Sequence, residues 1–239
     1  MYRTLLNLKS SDLGMRTAGL LVFGVSPQSN IHSDADAIRF HTALLERMRA
    51  LPGVDSATIM QVRIGSGGSD NDGVLVDGRN PSPNRPFATV RVNLVGSAFL
   101  HTLGIPLRQG RDIQDTDTAS SPTVAIVNQT FVDRYLDGGE ALGHHIAVAG
   151  DPKGQYTIVG VAGNSRYTEV REKDLPVAYV PFGQPQGVLG MQYELHTIGD
   201  PKMLIVIPTH KSAEPNSLAV RVDFERRTEC SSLLPTSTT

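Results

Sequence analysis

One stretch constrains the fold of this chain more than any other. In residues 18–62 an apolar run, a capped amphipathic helix and a second apolar run follow one another with joints of only a few residues. Ala18–Val25 (AGLLVFGV), bounded by Gly14 before it and Ser26-Pro27 after it, reads as a buried strand. Ser33 and Asp34 can cap a helix running to Leu51, and Asp34 and Asp36 suit its positive N-terminal end. Ala37, Phe40, Leu44, Met48 and Leu51 recur at helical spacing and make one apolar face, while Arg39, Glu46, Arg47 and Arg49 lie mostly off it. Pro52-Gly53 stops the helix, and Val54–Val62 reads as the second strand. Strand, helix and strand so closely joined predict a βαβ-like or split βαβ unit.

Ile64–Gly73 is rich in Gly, Ser, Asp and Asn and predicts a loop. Short strands broken by Gly and Pro follow: Val74–Val76, Ala88–Val95, Thr123–Val127, His145–Val148, Tyr156–Val161 and Val177–Pro181. Two short helices interrupt them, Ser97–Leu103 with Ser97 as cap and Asn128–Leu136 with Asn128 as cap. Met191–Thr197 alternates as a further strand and ends at Gly199-Asp200-Pro201. The pattern is α+β, with a β-rich stretch set between strand-helix segments. After Pro201 the character changes. Pro208, Pro215 and the Ser/Thr-rich ending give no sustained periodicity, which predicts a poorly ordered tail. Met203–Ile207 is the one segment there with the look of a strand.

At 239 residues the chain can bury a real core, as one large domain or two modest ones. A formal net charge of -2 supplies no basic field for nucleic acid, and 5% aromatics without Trp is poor equipment for stacking bases. The single cysteine, Cys230, excludes an internal disulfide or a cysteine metal site. No run approaches the roughly 18 apolar residues of a membrane span.

Candidate chemistry is sparse. Gly65, Gly67, Gly68 and Gly73 cluster, but no Gly-Lys-Ser/Thr follows as a phosphate loop requires, so a flexible loop is the reading. Gly163-Asn164-Ser165-Arg166-Tyr167 approaches a nucleophile elbow at Ser165 but lacks the closing glycine and an identifiable His or Asp partner. His144-His145 is the only adjacent histidine pair, and neighbours on a strand point to opposite faces, so they cannot easily share one ion. His32, His41, His101, His196 and His210 are scattered, which suits solvated or core histidines. Asp112, Asp115 and Asp117 could attract calcium but lack the glycine and downstream glutamate of an EF-hand loop, so a solvated acidic turn is expected. Asn128-Gln129-Thr130 is formally a glycosylation acceptor, although helix capping explains it better. No catalytic, cofactor-binding or metal site is therefore assigned, and no cofactor is expected.

Six segments, in order, carry a family resemblance. They are Asp12–Thr17 (DLGMRT), Leu44–Val54 (LLERMRALPGV), Phe99–Asp112 (FLHTLGIPLRQGRD), Val124–Phe131 (VAIVNQTF), Ile158–Asn164 (IVGVAGN) and Val177–Pro181 (VAYVP). Over roughly Tyr2–Pro201 the chain resembles the MacB-like periplasmic core domain of FtsX/MacB-type ABC transporter permeases, and within it the duplicated orphan permease group of acidobacteria. The resemblance implies a porter-like split βαβ subdomain with an inserted β-rich subdomain. Residues 18–70 would be the first part of the porter-like unit, 71–188 the insert, 189–207 the returning strand and 208–239 a poorly ordered tail.

By the same resemblance the domain lies outside the membrane, between the first and the remaining transmembrane helices of a permease, and Tyr2–Lys9 resembles the segment emerging from the first. The implied partners are those transmembrane helices, a cytoplasmic ABC ATPase and a periplasmic adaptor or cargo, with no nucleic acid; the parent would be dimeric or internally duplicated. The implied function is non-catalytic coupling of membrane-helix movement to a periplasmic partner. A free-standing periplasmic binding or assembly module is the alternative, and a hydrolase comes third. Two departures stand out: His144 occupies a position usually basic, and Lys202–Thr239 lacks the helix, strand and membrane helices that the family places there. A truncated or frameshifted gene would account for the second.

Overall fold

The structure is a computed structural model that describes residues 13–27, 33–64, 66, 68, 71–82, 88–149, 155–165, 174–184, 190–199 and 220–225. The strand-helix-strand stretch forms as expected: β1 (Leu20–Pro27), α1 (Asp34–Arg49) and β2 (Val54–Met60). Ser33 is the cap of α1, accepting a hydrogen bond from the Asp36 amide, and Arg47 and Arg49 complement the negative C-terminal end. The returning strand β10 (Met191–Thr197) lies between β1 and β2 and is antiparallel to both, so the unit is a split βαβ. At the outer edge, β11 (Val220–Glu225) pairs antiparallel with β1.

The buried face of α1 differs from the expected one. Ala37, His41 and Leu45 are the buried residues, Phe40, Leu44 and Met48 are half-buried flanks, and Leu51 is 39% exposed. The most apolar stripe lies about one residue away from the buried one, because His41 is polar by residue type. Its ring is nonetheless fully buried, with Nδ1 2.8 Å from the Tyr193 hydroxyl, and it is therefore a core side chain.

The middle of the chain supplies β3 (Asn71–Val76), β4 (Ala88–Val95), α2 (Phe99–Leu103), β5 (Leu107–Gly110), β6 (Val124–Asn128), α3 (Gln129–Tyr135), β7 (His145–Val148), β8 (Tyr156–Ala162) and β9 (Val177–Pro181). The pairings β4–β3, β3–β7, β7–β8, β8–β6, β6–β9 and β9–β4 return to their starting strand and close a six-membered ring. Closure leaves the ring without an edge, β5 being added along β8. β6 and β9 read as continuous apolar runs because all five residues of each are buried.

Three further expectations are corrected. Ser97 does not cap α2: the N-cap is Ala98 in a left-handed conformation without a side-chain hydrogen bond, and the Asp112 carboxylate accepts from the His101 amide instead. β5, an exposed four-residue strand, has no apolar alternation by which the sequence could announce it. Residues 220–225 fall within the expected poorly ordered tail yet form β11, paired in register with Phe224 opposite Phe23 and Val222 opposite Val25 along the backbone. Met203–Ile207 lies outside the described residues. No helix among the described residues is long and apolar enough to cross a membrane.

Candidate functional site

The region where the open sheet meets the ring gathers the most polar structure. On one face of the sheet α1 packs on β2 and β10; on the other, α2 packs on the same two strands. The α2 side is a continuous core in which Leu20, Met60 and Ile64 join Val95, Phe99, Leu100, Leu103 and Tyr179. The strand ladder crosses from sheet to ring at the pair Met60 and Val95, flanked by amide-to-carbonyl bonds from Gln61 to Leu94 (2.9 Å) and from Gly96 to Ile59 (2.7 Å). Fully buried Asn93 extends this ladder with its side chain. Its Oδ1 accepts from the Val62 amide at 3.0 Å, and its Nδ2 donates to the Val62 carbonyl at 2.7 Å. The primary amide has the donor and acceptor of a peptide group, so it substitutes for one more strand residue.

On the α1 side the arrangement differs. A cleft of about 160 Å³ separates Ile38, Thr42, Leu45 and Glu46 of the helix from Ile113, Gln114, Thr118, Ala119, Pro181 and Phe182. Arg49, in the last turn of α1, spans its end. Nε donates to the Ala57 carbonyl (3.0 Å), one terminal nitrogen to Asp115 Oδ1 (3.0 Å), and the other to the carbonyl (3.0 Å) and hydroxyl (2.7 Å) of Ser97. The Ser97 hydroxyl in turn donates to Asp115. Burial acts to raise the Asp115 carboxyl, but the bonds from Ser97 and Arg49 prevail and hold it below the ordinary carboxylate value.

The other candidate residues disperse. Asp117 is tied to both terminal nitrogens of Arg111 (2.7 and 2.8 Å), which raises the guanidinium's pKa. Asp112 is raised by burial, against the opposing amides of His101, Ile113 and Leu100. The three aspartates thus serve three different partners, and no group of three or more metal-binding side chains occurs among the described residues. His144 Nδ1 lies 2.6 Å from Asp77, whose other oxygen accepts the His145 amide; these bonds hold the Asp77 carboxyl low, the His145 amide first. His196 likewise pairs with Asp55 at 2.9 Å and lowers it. Ser165 is buried beside Tyr179, whose hydroxyl burial pushes up to about 12 against the opposing Ser165 hydroxyl. Asn128 is buried, its Oδ1 accepting from Phe131 and Val177 and its Nδ2 donating to Leu175, so it caps α3 and presents nothing to a glycosylating enzyme. Of the clustered glycines, Gly65 and Gly67 lie outside the described residues. The Arg49 network is not legible in the sequence because its members are 66 and 48 positions apart and each is an ordinary surface type.

A helix-clad open sheet carrying an inserted, closed β-ring defines an α+β module of two unequal parts. The chain belongs to the MacB-like periplasmic core domain family, whose model matches residues 7–223. It is an extracytoplasmic domain of the ABC transporter permease class. The periplasmic region of MacB from Actinobacillus actinomycetemcomitans has the same fold, with a TM-score of 0.50 at 13% identity over 83% of this chain and 84% of that one. The extracellular domain of the noncanonic ABC-type transporter YknZ from Gram-positive bacteria aligns with TM-score 0.46 and 12% identity, covering 77% of this chain and 87% of that one. A permease domain from Porphyromonas gingivalis gives 0.49 and 13%, covering 88% and 91%. No curated protein matches the sequence.

Proposed function

We propose that this domain couples movement of a permease's membrane helices to a periplasmic partner or cargo, without catalysis of its own. The observation that carries the reading is the placement of the first and last strands. β1 and β11 are neighbours and antiparallel, with Val22 opposite Glu225, so chain entering β1 and chain leaving β11 share one end of the sheet. Insertion between two membrane helices requires this geometry. Displacement of those helices would act first on the open sheet, β1, β2, β10 and β11, and pass through the Met60–Val95 joint to the inserted ring. A cytoplasmic ATPase would supply the energy. The absence of a catalytic role is supported by the burial of Ser165, where no substrate carbonyl could reach the hydroxyl.

The test uses the domain in an assembled permease, with a fluorophore on exposed Arg134→Cys and an acceptor dye in the bilayer. Their distance should change between nucleotide-bound and nucleotide-free states. A distance indifferent to nucleotide overturns the coupling, and turnover of ATP, ester or peptide by the purified chain overturns the non-catalytic part.

A further inference from the structure

We propose that Leu51, Pro52 and Ile198, at one end of the open sheet, form an apolar foot that enters the headgroup–acyl boundary of a phospholipid bilayer. The proposal rests on the reading above only for which end faces the membrane, and it names the surface that this end meets. Its first ground is where the exposed apolar side chains lie. Among the described residues the exposed large hydrophobics are Leu51, Leu107 and Ile198, the last at 75%. Two of the three adjoin, because the Ile198 amide donates at 2.8 Å to the carbonyl of Gly53, two residues after Leu51. Pro52, Thr17 and Ala18 are exposed as well, and residues 17–19, 50–53 and 197–199 contain no charged side chain. Asp55, the nearest acid in β2, is paired with His196 at 2.9 Å. An apolar residue exposed singly is ordinary on a protein in water, whereas adjoining ones in a charge-free setting suit the lipid interface.

The second ground is that the foot is held rigidly. Leu51–Val54 is a tight turn closed by the Val54 amide on the Leu51 carbonyl (3.1 Å), with Pro52 followed by Gly53 at φ +86, the residues a type II turn requires. The Thr197 amide and hydroxyl both donate to the Gly19 carbonyl, at 2.9 and 3.1 Å, which stitches the end of β10 to the start of β1. Side chains carried on so fixed a backbone lose little conformational freedom on entering a second phase. The third ground is the direction of the chain. β1 begins and β11 ends at this end of the sheet, with Leu20 opposite His196 and Val22 opposite Glu225. Chain running to membrane helices on either side leaves from here, so the foot faces the bilayer. Leu51 continues the apolar stripe of α1 past the point where the core stops, and lipid supplies the contact that packing does not.

The test uses tryptophan fluorescence, because the chain has no Trp of its own and Leu51→Trp is then a lone reporter. The full chain is tethered by a histidine tag at Met1 to nickel-chelating lipid in phosphatidylcholine vesicles, part of whose acyl chains are brominated and quench tryptophan that has entered the bilayer. Leu51→Trp should be quenched, and Arg134→Trp on the ring should not. Adding Ile198→Ser to Leu51→Trp should lower the ratio of inserted to free chain about tenfold, the scale of one large apolar side chain returned to water. Ala18→Asp should release the foot without removing apolar area. All four positions are exposed, so the variants keep the fold. Absent quenching of Leu51→Trp, or equal quenching of Arg134→Trp, overturns the proposal. So does a dimer that Ile198→Ser dissociates in sedimentation without lipid, which would give the patch to a second copy. Neither nucleotide nor permease enters this measurement. Failed insertion beside a nucleotide-dependent distance in the assembled permease would therefore sink the foot and leave the coupling, and the converse pair of results would sink the coupling alone.

Discussion

The open sheet and the β-ring meet at one strand pair but solve the problem of unpaired backbone in different ways. The ring closes on itself, so β3, β4, β6, β7, β8 and β9 each find partners on both sides within residues 71–181. The open sheet keeps β11 as an edge and depends on α1 and α2 to cover its faces. Cooperative closure makes the ring the part that must open last, whereas the sheet can loosen helix by helix and edge first.

The largest expected effect is in the ring. Phe131 on α3 is fully buried and packs edge-on to Tyr135 at 5.2 Å. Phe131→Ala should cost about 3–5 kcal/mol, read as a lower midpoint of denaturant unfolding for the whole chain. A loss confined to α3, with the rest unchanged, would break the picture of the ring as a cooperative unit.

Next in size is the contrast along α1. Leu45→Ala should cost about 2–5 kcal/mol and half-buried Leu44→Ala clearly less, the two compared by the same unfolding measurement. The reverse order would restore the helix face expected from the sequence. A smaller change is expected where the segment before β1 meets the ring. Gly14 has φ +68, and a Cβ there would lie 2.0 Å from the Asn164 carbonyl oxygen. Gly14→Ala should cost about 1 kcal/mol or more and speed exchange of the Arg16 amide, which is bonded to Leu103 at 2.6 Å.

The smallest effect is the pH dependence of the Arg49–Asp115 pair. Asp115 lies below the ordinary value of 3.8, so its contribution is present above that value and is lost as pH falls through the lower folded one. Asp115→Ala should therefore lose less stability than the parent on acidification below about pH 4, by about 0.2–1 kcal/mol for so exposed a pair. Asp112 has the opposite sign: burial raises it, so stability is gained as pH falls through its folded value, and Asp112→Asn should remove that gain. Parallel thermal melts across the acid range check both.

Much of the open sheet is legible in the amino-acid sequence alone. Ser33 as cap, Pro52-Gly53 as stop and the apolar runs on either side are local signals, each set within a few residues of chain, and they specify β1, α1 and β2 without reference to anything distant. Ala88–Val95, His145–Val148, Val177–Pro181 and Met191–Thr197 likewise appear as strands with the bounds their alternation and flanking turns suggest. Partnership is not local. That β9 runs parallel to β4 and closes a ring, that Val220–Glu225 rather than a nearer segment takes the place beside β1, and that His41 is core follow from which surfaces meet after collapse. The Arg49 network is the clearest case. An arginine late in a helix, a serine in a turn and an aspartate in an acidic loop carry no mutual signature in sequence, and only tertiary packing brings their complementary donors and acceptors within hydrogen-bond reach.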